Sequence, residues 1–108
     1  LAWHLQFSTA ESEKIRIAKW CIGRALRSLS RLPEALAIQQ ALLADYQQRN
    51  QPAGFTNEEI GECLLAMGQE AAARPYFAQA HKELSQVAWV AATEQERLAR
   101  LAELGGNG

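Results

Sequence analysis

The chain has 108 residues, of which 48% are hydrophobic, and a formal net charge of −1. This composition provides a core for one domain and excludes an intrinsically disordered chain. The near-neutral charge gives the chain no overall basic field, so we expect no nucleic acid partner. The short apolar runs predict no membrane-spanning segment.

Two cysteines, Cys21 and Cys63, both lie within helical patterns. Such a low count differs from the disulfide-rich composition of small secreted domains, and free cysteine is among the most buried residue types. We therefore predict two reduced thiols in the core and a cytoplasmic location. Because the chain begins at Leu1 rather than methionine, we leave open the interpretation that it is part of a longer protein.

The first helix is predicted from a start signal and a periodic apolar pattern. Ser8 and Glu11 have capping-box spacing, which places the helix start near Thr9. Apolar residues then recur in steps of three and four until the pattern ends near Ser30. Residues 1–7 are open to two interpretations, the tail of an earlier helix or a strap over the first hairpin.

The second helix is predicted to start near Pro33. Proline suits the first turn of a helix, because the N–H group that it lacks would have no hydrogen-bond partner inside the helix there. Its apolar pattern reaches Tyr46. Asn50, Pro52 and Gly54 then form a loop. We interpret this loop as a connection inside one domain rather than a domain boundary.

Two further helices and an amphipathic segment complete the chain. A second capping-box spacing, from Thr56 to Glu59, predicts the start of the third helix, and Gly68 provides a left-handed cap at its end. Pro75 lies beyond the first turn of the fourth helix and should bend its start, but the apolar pattern continues on both sides. Residues 87–104 are predicted to form one amphipathic capping helix. No segment alternates with a period of two, so the chain is predicted to be all-α.

Two segments of the chain share one layout of small and apolar residues. Three pairs of matching positions are each 38 residues apart: Gly23 and Gly61, Ser30 and Gly68, and Ala35 and Ala73. A fixed period with paired helical patterns indicates stacked helical hairpins. We therefore predict two antiparallel hairpins, at about residues 9–49 and 57–84, stacked as a short right-handed α-solenoid and closed by the capping helix.

The second copy carries seven residues at a characteristic spacing: Ile60, Gly61, Leu64, Gly68, Ala73, Phe77 and Ala80. In this spacing the chain resembles the tetratricopeptide repeat family. Both copies depart from the family pattern. Gln39 replaces the large aromatic residue in the first copy, and Lys19 of the first copy and Asn57 of the second stand where the family has tryptophan. The period of 38 is longer than the usual length of about 34 residues, as in extended variants similar to kinesin light chains.

In that family, the first helix of each hairpin lines a concave face that holds partner proteins. By this resemblance the face is formed here by eight residues: Ile17, Trp20, Arg24, Arg27, Phe55, Glu58, Glu62 and Leu65. Trp20 with Arg24 and Arg27 is the best binding candidate, because aromatic residues and arginine dominate interface hot spots. The alternative stays open that Trp20 packs in the core and that the arginines pair with Glu58 and Glu62.

The resemblance implies a protein–protein interaction module, an adaptor or scaffold that binds a peptide or a partner helix in its groove. An alternative is a regulatory or sensor module from a larger transcription factor or signalling ATPase. Two and a half repeats leave one end open, which should expose Trp3, Phe7 or the surface around Trp89. We expect a homodimer or further repeats in a parent chain to cover that end.

Signals for chemistry are weak throughout the chain. His4 and His81 have no metal-ligand spacing with the cysteines, and no phosphate-binding loop or nucleophile motif occurs. The acidic residues around Glu59 fit a helix start better than a catalytic pair. We therefore predict no enzyme activity, no cofactor and no metal.

Overall fold

Six α-helices follow one another in the computed structural model, which describes the backbone of residues 2–106 and the side chains of residues 12–106. They are α1 (Ala2–Ser28), α2 (Leu32–Gln48), α3 (Gly54–Ala66), α4 (Glu70–Leu84), α5 (Ala88–Thr93) and α6 (Gln95–Leu104). No β-strand occurs in the described residues, which confirms the all-α prediction. None of these helices combines the length and the apolar character needed to cross a bilayer.

The long helices pack against their neighbours along the chain. α1 and α2 form a first hairpin, α3 and α4 form a second, and α2 packs against α3 to join the two. α6 packs against α4 at the C-terminal end. The helices therefore form a stack of two hairpins with a further helix at one end, as predicted. Pro75 lies inside α4 without ending it, which was also predicted.

The turn that ends the first helix has the same geometry in both hairpins. Ser30, with φ of 63°, and Gly68, with φ of 79°, both adopt the left-handed backbone conformation. At each turn two N–H groups donate to carbonyl oxygens of the last helical turn, as in a Schellman motif. The repeat is therefore visible in the backbone, and the left-handed cap predicted at Gly68 is confirmed.

Ser30→Gly is expected to raise the free energy of unfolding by about 0.5–1 kcal/mol, because a side chain in the left-handed region is strained and glycine is not. The matched change Gly68→Ser should lower it by a similar amount. An added Cβ at Gly68 meets no atom within 4 Å, so only backbone strain opposes it. Urea denaturation of both variants beside the wild type measures the effect, and two changes of the same sign would contradict the assignment.

The core lies between the second hairpin and the C-terminal helices. Its buried residues are Ile60, Leu64, Ala73, Phe77, Ala80, Leu84, Val90 and Leu101. Gly61 lets α3 approach α4 closely, because an added Cβ would lie only 2.9 Å from Cε1 of Phe77. The equivalent contact of the first hairpin joins Gly23 to Gln39, where an added Cβ would lie 3.0 Å from Cδ. Both hairpins therefore use a glycine at the same point of close approach.

α1 starts earlier than predicted, at Ala2 rather than near Thr9. Residues 2–8 continue the helical backbone, whereas a capping box requires its first residue to leave that backbone. This segment is therefore part of α1 itself, rather than the tail of a separate helix or a strap. The side chains of Trp3 and Phe7 lie outside the described residues.

The third helix also begins before its predicted capping box. α3 starts at Gly54, with Ala53 as its N-cap residue and no side-chain hydrogen bond at the cap. Thr56 is buried inside the helix, and the Glu59 carboxylate binds Arg27 rather than a backbone N–H. The capping-box prediction was wrong because a contact between helices recruits Glu59.

The capping helix predicted at residues 87–104 is divided into two at Glu94, whose φ of −119° and ψ of 44° leave the helical region. Val90 of α5 and Leu101 of α6 are both 0% exposed and reach the core. Trp89 remains 55% exposed. The break therefore lets α5 bury Val90 and α6 bury Leu101 in the core, while Trp89 stays outside the core.

The two cysteines differ in burial: Cys63 is buried and Cys21 is exposed, and both are free thiols. The prediction of two core thiols was wrong for Cys21, because its side of α1 faces away from α2. Burial raises the pKa of the Cys63 thiol to about 11, and the charge of Glu59 adds to the effect. Thiol reagents should therefore react with Cys21 first.

Candidate functional site

A cavity of about 590 Å³ lies where α1, α3 and α5 come together. Seven of the eight residues predicted for the partner-binding face line it: Ile17, Trp20, Arg24, Arg27, Phe55, Glu58 and Glu62. Leu65 does not, because it packs against the core instead. The first helices of both hairpins therefore contribute to one concave surface.

Three aromatic side chains from three helices form one side of the cavity, which we call the aromatic wall: Trp20 of α1, Phe55 of α3 and Trp89 of α5. The rings of Trp20 and Phe55 meet edge to face, with centroids 6.3 Å apart and planes at 78°. Phe55 and Trp89 are stacked, with centroids 5.9 Å apart. The Trp20 Nε1–H already donates to the carbonyl oxygen of Phe55 at 3.2 Å, so the rings offer mainly apolar surface to a ligand.

Gln39 holds the Trp20 end of the aromatic wall from the side of α2. Its Nε2 donates to the carbonyl oxygen of Trp20 at 3.1 Å, and its side chain is 0% exposed. The equivalent position of the second hairpin is Phe77, which fills the core. Where the second hairpin has the apolar ring of Phe77, the first hairpin therefore has the Gln39 amide, whose hydrogen bond holds the backbone carbonyl of Trp20 in place.

Arg27 forms a partly buried ion pair with Glu59 between α1 and α3. Nε donates to Oε1 at 2.7 Å and Nη2 donates to Oε2 at 3.1 Å. The hydrogen bond with Glu59 raises the pKa of Arg27 above its ordinary value, so the arginine stays charged. Pairing between the hairpins is confirmed for Arg27, but its partner is Glu59 rather than Glu58 or Glu62.

Glu58 and Glu62 bind arginines of α6 instead. Arg97 donates to Glu58, with Nε 2.9 Å from Oε2, and Arg100 donates to Glu62, with Nη2 3.1 Å from Oε1. For both arginines the hydrogen bond to the glutamate raises the pKa above its ordinary value. The acidic residues of α3 are therefore neutralised from two sides, by α1 and by α6.

Arg24 differs from the other arginines of the cavity. Its guanidinium carbon lies 5.6 Å from the centre of the Trp20 ring. The side chain is exposed at the cavity edge, and no carboxylate of the described residues lies within 4.0 Å of it. Arg24 therefore offers a positive group beside the aromatic wall.

Sequence reasoning missed eight residues that line the cavity: Tyr46, Pro52, Ala53, Gly54, Thr56, Glu59, Trp89 and Arg97. Trp89 was predicted to lie in one capping helix at residues 87–104, but that helix breaks at Glu94 and the Trp89 ring stacks on Phe55. Arg97 belongs to the same predicted helix, and with Glu94 and Glu96 close to it in the sequence there was no reason to choose Glu58 as its partner. The presence of Trp89 was the signal from which the sequence could have predicted this part of the cavity, since a large aromatic side chain suits a binding surface as well as a core.

No family model matches the chain, and no solved structure matches it. Within residues 12–106, no group of three or more histidine, cysteine, aspartate or glutamate side chains is placed to hold a metal ion. His4 lies outside this range. The cavity combines the aromatic wall with three arginines and three glutamates.

Proposed function

We propose that this chain is a tetratricopeptide-like interaction module that binds a segment of a partner protein in the cavity. The fold supports the repeat assignment, because equivalent glycine contacts and equivalent left-handed caps recur in the two hairpins. The observation that carries the binding role is an aromatic wall beside Arg24, a cation without an acidic partner in the described residues.

The cavity favours a ligand that combines an apolar side chain with a carboxylate. An aromatic or aliphatic group would lie against Trp20 and Trp89, because ring surfaces bury large apolar areas at a small entropic cost. A neighbouring carboxylate would pair with Arg24, whose planar guanidinium can donate two parallel hydrogen bonds. Glu58 and Glu59 already bind arginines, so they do not compete for Arg24.

Selection of peptides from a display library on the immobilised protein tests this proposal. We expect enrichment of sequences with an aromatic or aliphatic residue next to an aspartate, a glutamate or a terminal carboxylate. Arg24→Gln should weaken binding of the selected peptides by at least about tenfold, because a hydrogen-bonded charge is lost.

Arg74→Gln is the matched control, since Arg74 is an exposed arginine of α4 that does not line the cavity. It should bind the selected peptides as tightly as the wild type. Equal affinities for Arg24→Gln, Arg74→Gln and the wild type would refute the proposal, and so would a selection that enriches no sequence.

A second candidate function is a regulatory module that senses a small ligand inside a larger protein. The cavity volume of about 590 Å³ supports it, because small-molecule sites commonly occupy about 300–1,000 Å³. The same chemistry then favours an aromatic carboxylate. A rise in melting temperature with phenylacetate that Arg24→Gln abolishes would favour this function, whereas no rise at saturating concentrations would exclude that ligand class.

A further inference from the structure

An apolar stripe runs along the side of α1 that faces away from the cavity, and we call it the α1 stripe: Ile15, Ala18, Ile22, Ala25 and Leu29. Its large residues Ile15, Ile22 and Leu29 are 51%, 53% and 68% exposed. They are seven positions apart, and an alanine follows each isoleucine after three positions. This is the heptad pattern of helices that pair along a seam.

The second hairpin shows what covers the equivalent stripe. The repeat places Ile60 of α3 at the position of Ile22, and Ile60 is 0% exposed. α2 packs against α3, and its Leu36 and Leu43 contact the core cluster that contains Ile60. A helix is therefore the element that fits this face, and the described residues place none on α1 there.

We propose that the α1 stripe is a dimer interface, which pairs in antiparallel orientation with the α1 stripe of a second copy. The alternation of large and small residues supports this pairing. In an antiparallel pair the isoleucines of one copy lie against the alanines of the other, so the two helices can approach closely. The stripe is in this way complementary to itself.

The charges beside the α1 stripe determine the orientation. Lys14 and Lys19 flank its N-terminal half, whereas Leu26 and Ser28 flank its C-terminal half. In a parallel pair, Lys14 of one copy would face Lys19 of the other, and the two charges would repel each other. In an antiparallel pair both lysines face the uncharged half of the second copy.

This interface leaves the cavity open, because the two surfaces lie on different sides of α1. Ile17 lines the cavity and is 57% exposed, whereas Ile22 lies in the α1 stripe and is 53% exposed. The dimer therefore presents two cavities, and the proposal does not depend on what the cavity binds. These two isoleucines also form a matched pair for testing it.

Sedimentation equilibrium from about 1 µM to about 1 mM covers the range in which weak association becomes visible. We expect the wild type to approach twice the chain mass of 11.9 kDa at the upper end. Ile22→Glu should weaken dimerisation by at least about 100-fold, because it places two charges at the centre of the seam. Ile17→Glu should dimerise like the wild type, and circular dichroism checks that both variants stay helical.

Cys21 provides an independent test of the orientation. It is exposed and adjacent to Ile22, so an antiparallel pair in which Ile22 lies against Ala18 of the other copy brings both Cys21 thiols to the same edge of the seam. A short bis-maleimide should therefore link two copies, and Cys21→Ser should abolish the product. Cys63 is buried and is not expected to react.

Three results would overturn the proposal. The first is a protein that stays monomeric at every concentration. If this monomer also binds a synthetic peptide of residues 32–48 on the α1 stripe, the stripe is the docking face for a further hairpin. The second is a dimer that Ile22→Glu leaves intact. The third is a dimer that Cys21 does not cross-link, which would exclude the antiparallel arrangement.

Discussion

Phe77→Ala is expected to lower the free energy of unfolding by about 3–5 kcal/mol, because it removes a large buried side chain and leaves a cavity. Phe77 is 1% exposed and belongs to the core cluster between the second hairpin and α6. Its ring packs at the point where Gly61 brings α3 close to α4. The two helices cannot collapse much further there, so the cavity should persist.

Urea denaturation followed by circular dichroism measures this loss. Phe77→Leu keeps much of the side-chain volume and should lose less. Tyr76→Ala is the neighbouring control, because Tyr76 is only half-buried at the edge of the same cluster. A loss below about 1 kcal/mol for Phe77→Ala would show that the ring does not support the core as described.

Arg27→Met is expected to lower the free energy of unfolding by about 3 kcal/mol, since it leaves a buried carboxylate without its partner. The side chain of Glu59 is only 4% exposed, whereas that of Arg27 is 29% exposed. Methionine retains most of the apolar contacts of the arginine stem. The loss therefore reports mainly the unpaired charge of Glu59.

A double-mutant cycle separates the charge from the shape of the side chain. Glu59→Gln alone should lose less, because water can reach the freed Arg27. Adding Glu59→Gln to Arg27→Met should restore part of the stability, as neither charge is then left unpaired. Arg31→Met is the control: Arg31 and Glu34 form an exposed pair, so the change should stay within about 0.5 kcal/mol. Equal losses for the two arginine variants would contradict the burial of Glu59.

α1 has two faces with different chemistry, and the two proposals make opposite predictions for them. Ile17→Glu should weaken peptide binding in the cavity and leave the dimer unchanged. Ile22→Glu should separate the dimer and leave peptide binding unchanged. A variant set that loses both properties together would show that the two surfaces are not independent.

Local patterns in the sequence were sufficient to predict the four long helices and the hairpin layout. Gly68 was predicted as a left-handed cap, and Gly23 and Gly61 were predicted as matching positions of two hairpins. The structure has the cap, and both glycines lie at points of close helix approach. Pro75 was predicted to be tolerated inside its helix. These features depend on backbone preferences and periodicity over a few turns, so the residue order alone contains them.

The helix starts could not be predicted reliably, because capping signals compete with contacts from other helices. Thr56 and Glu59 have capping-box spacing, but Glu59 binds Arg27 of α1, and α3 begins at Gly54 instead. Ser8 has the same spacing in α1, where the helical backbone continues around it. A short signal identifies a possible cap but does not show that the residue is free to act as one.

Residue order alone predicts an all-helical chain with two similar hairpins and a first-helix face that contains Trp20, Arg24 and Arg27. The packing of the helices against one another brings Trp89 into the aromatic wall and places Arg97 against Glu58, a residue 39 positions away. The physical reason is that ion-pair and ring contacts depend on distances between helices, and those distances follow from how the whole core packs rather than from any local pattern.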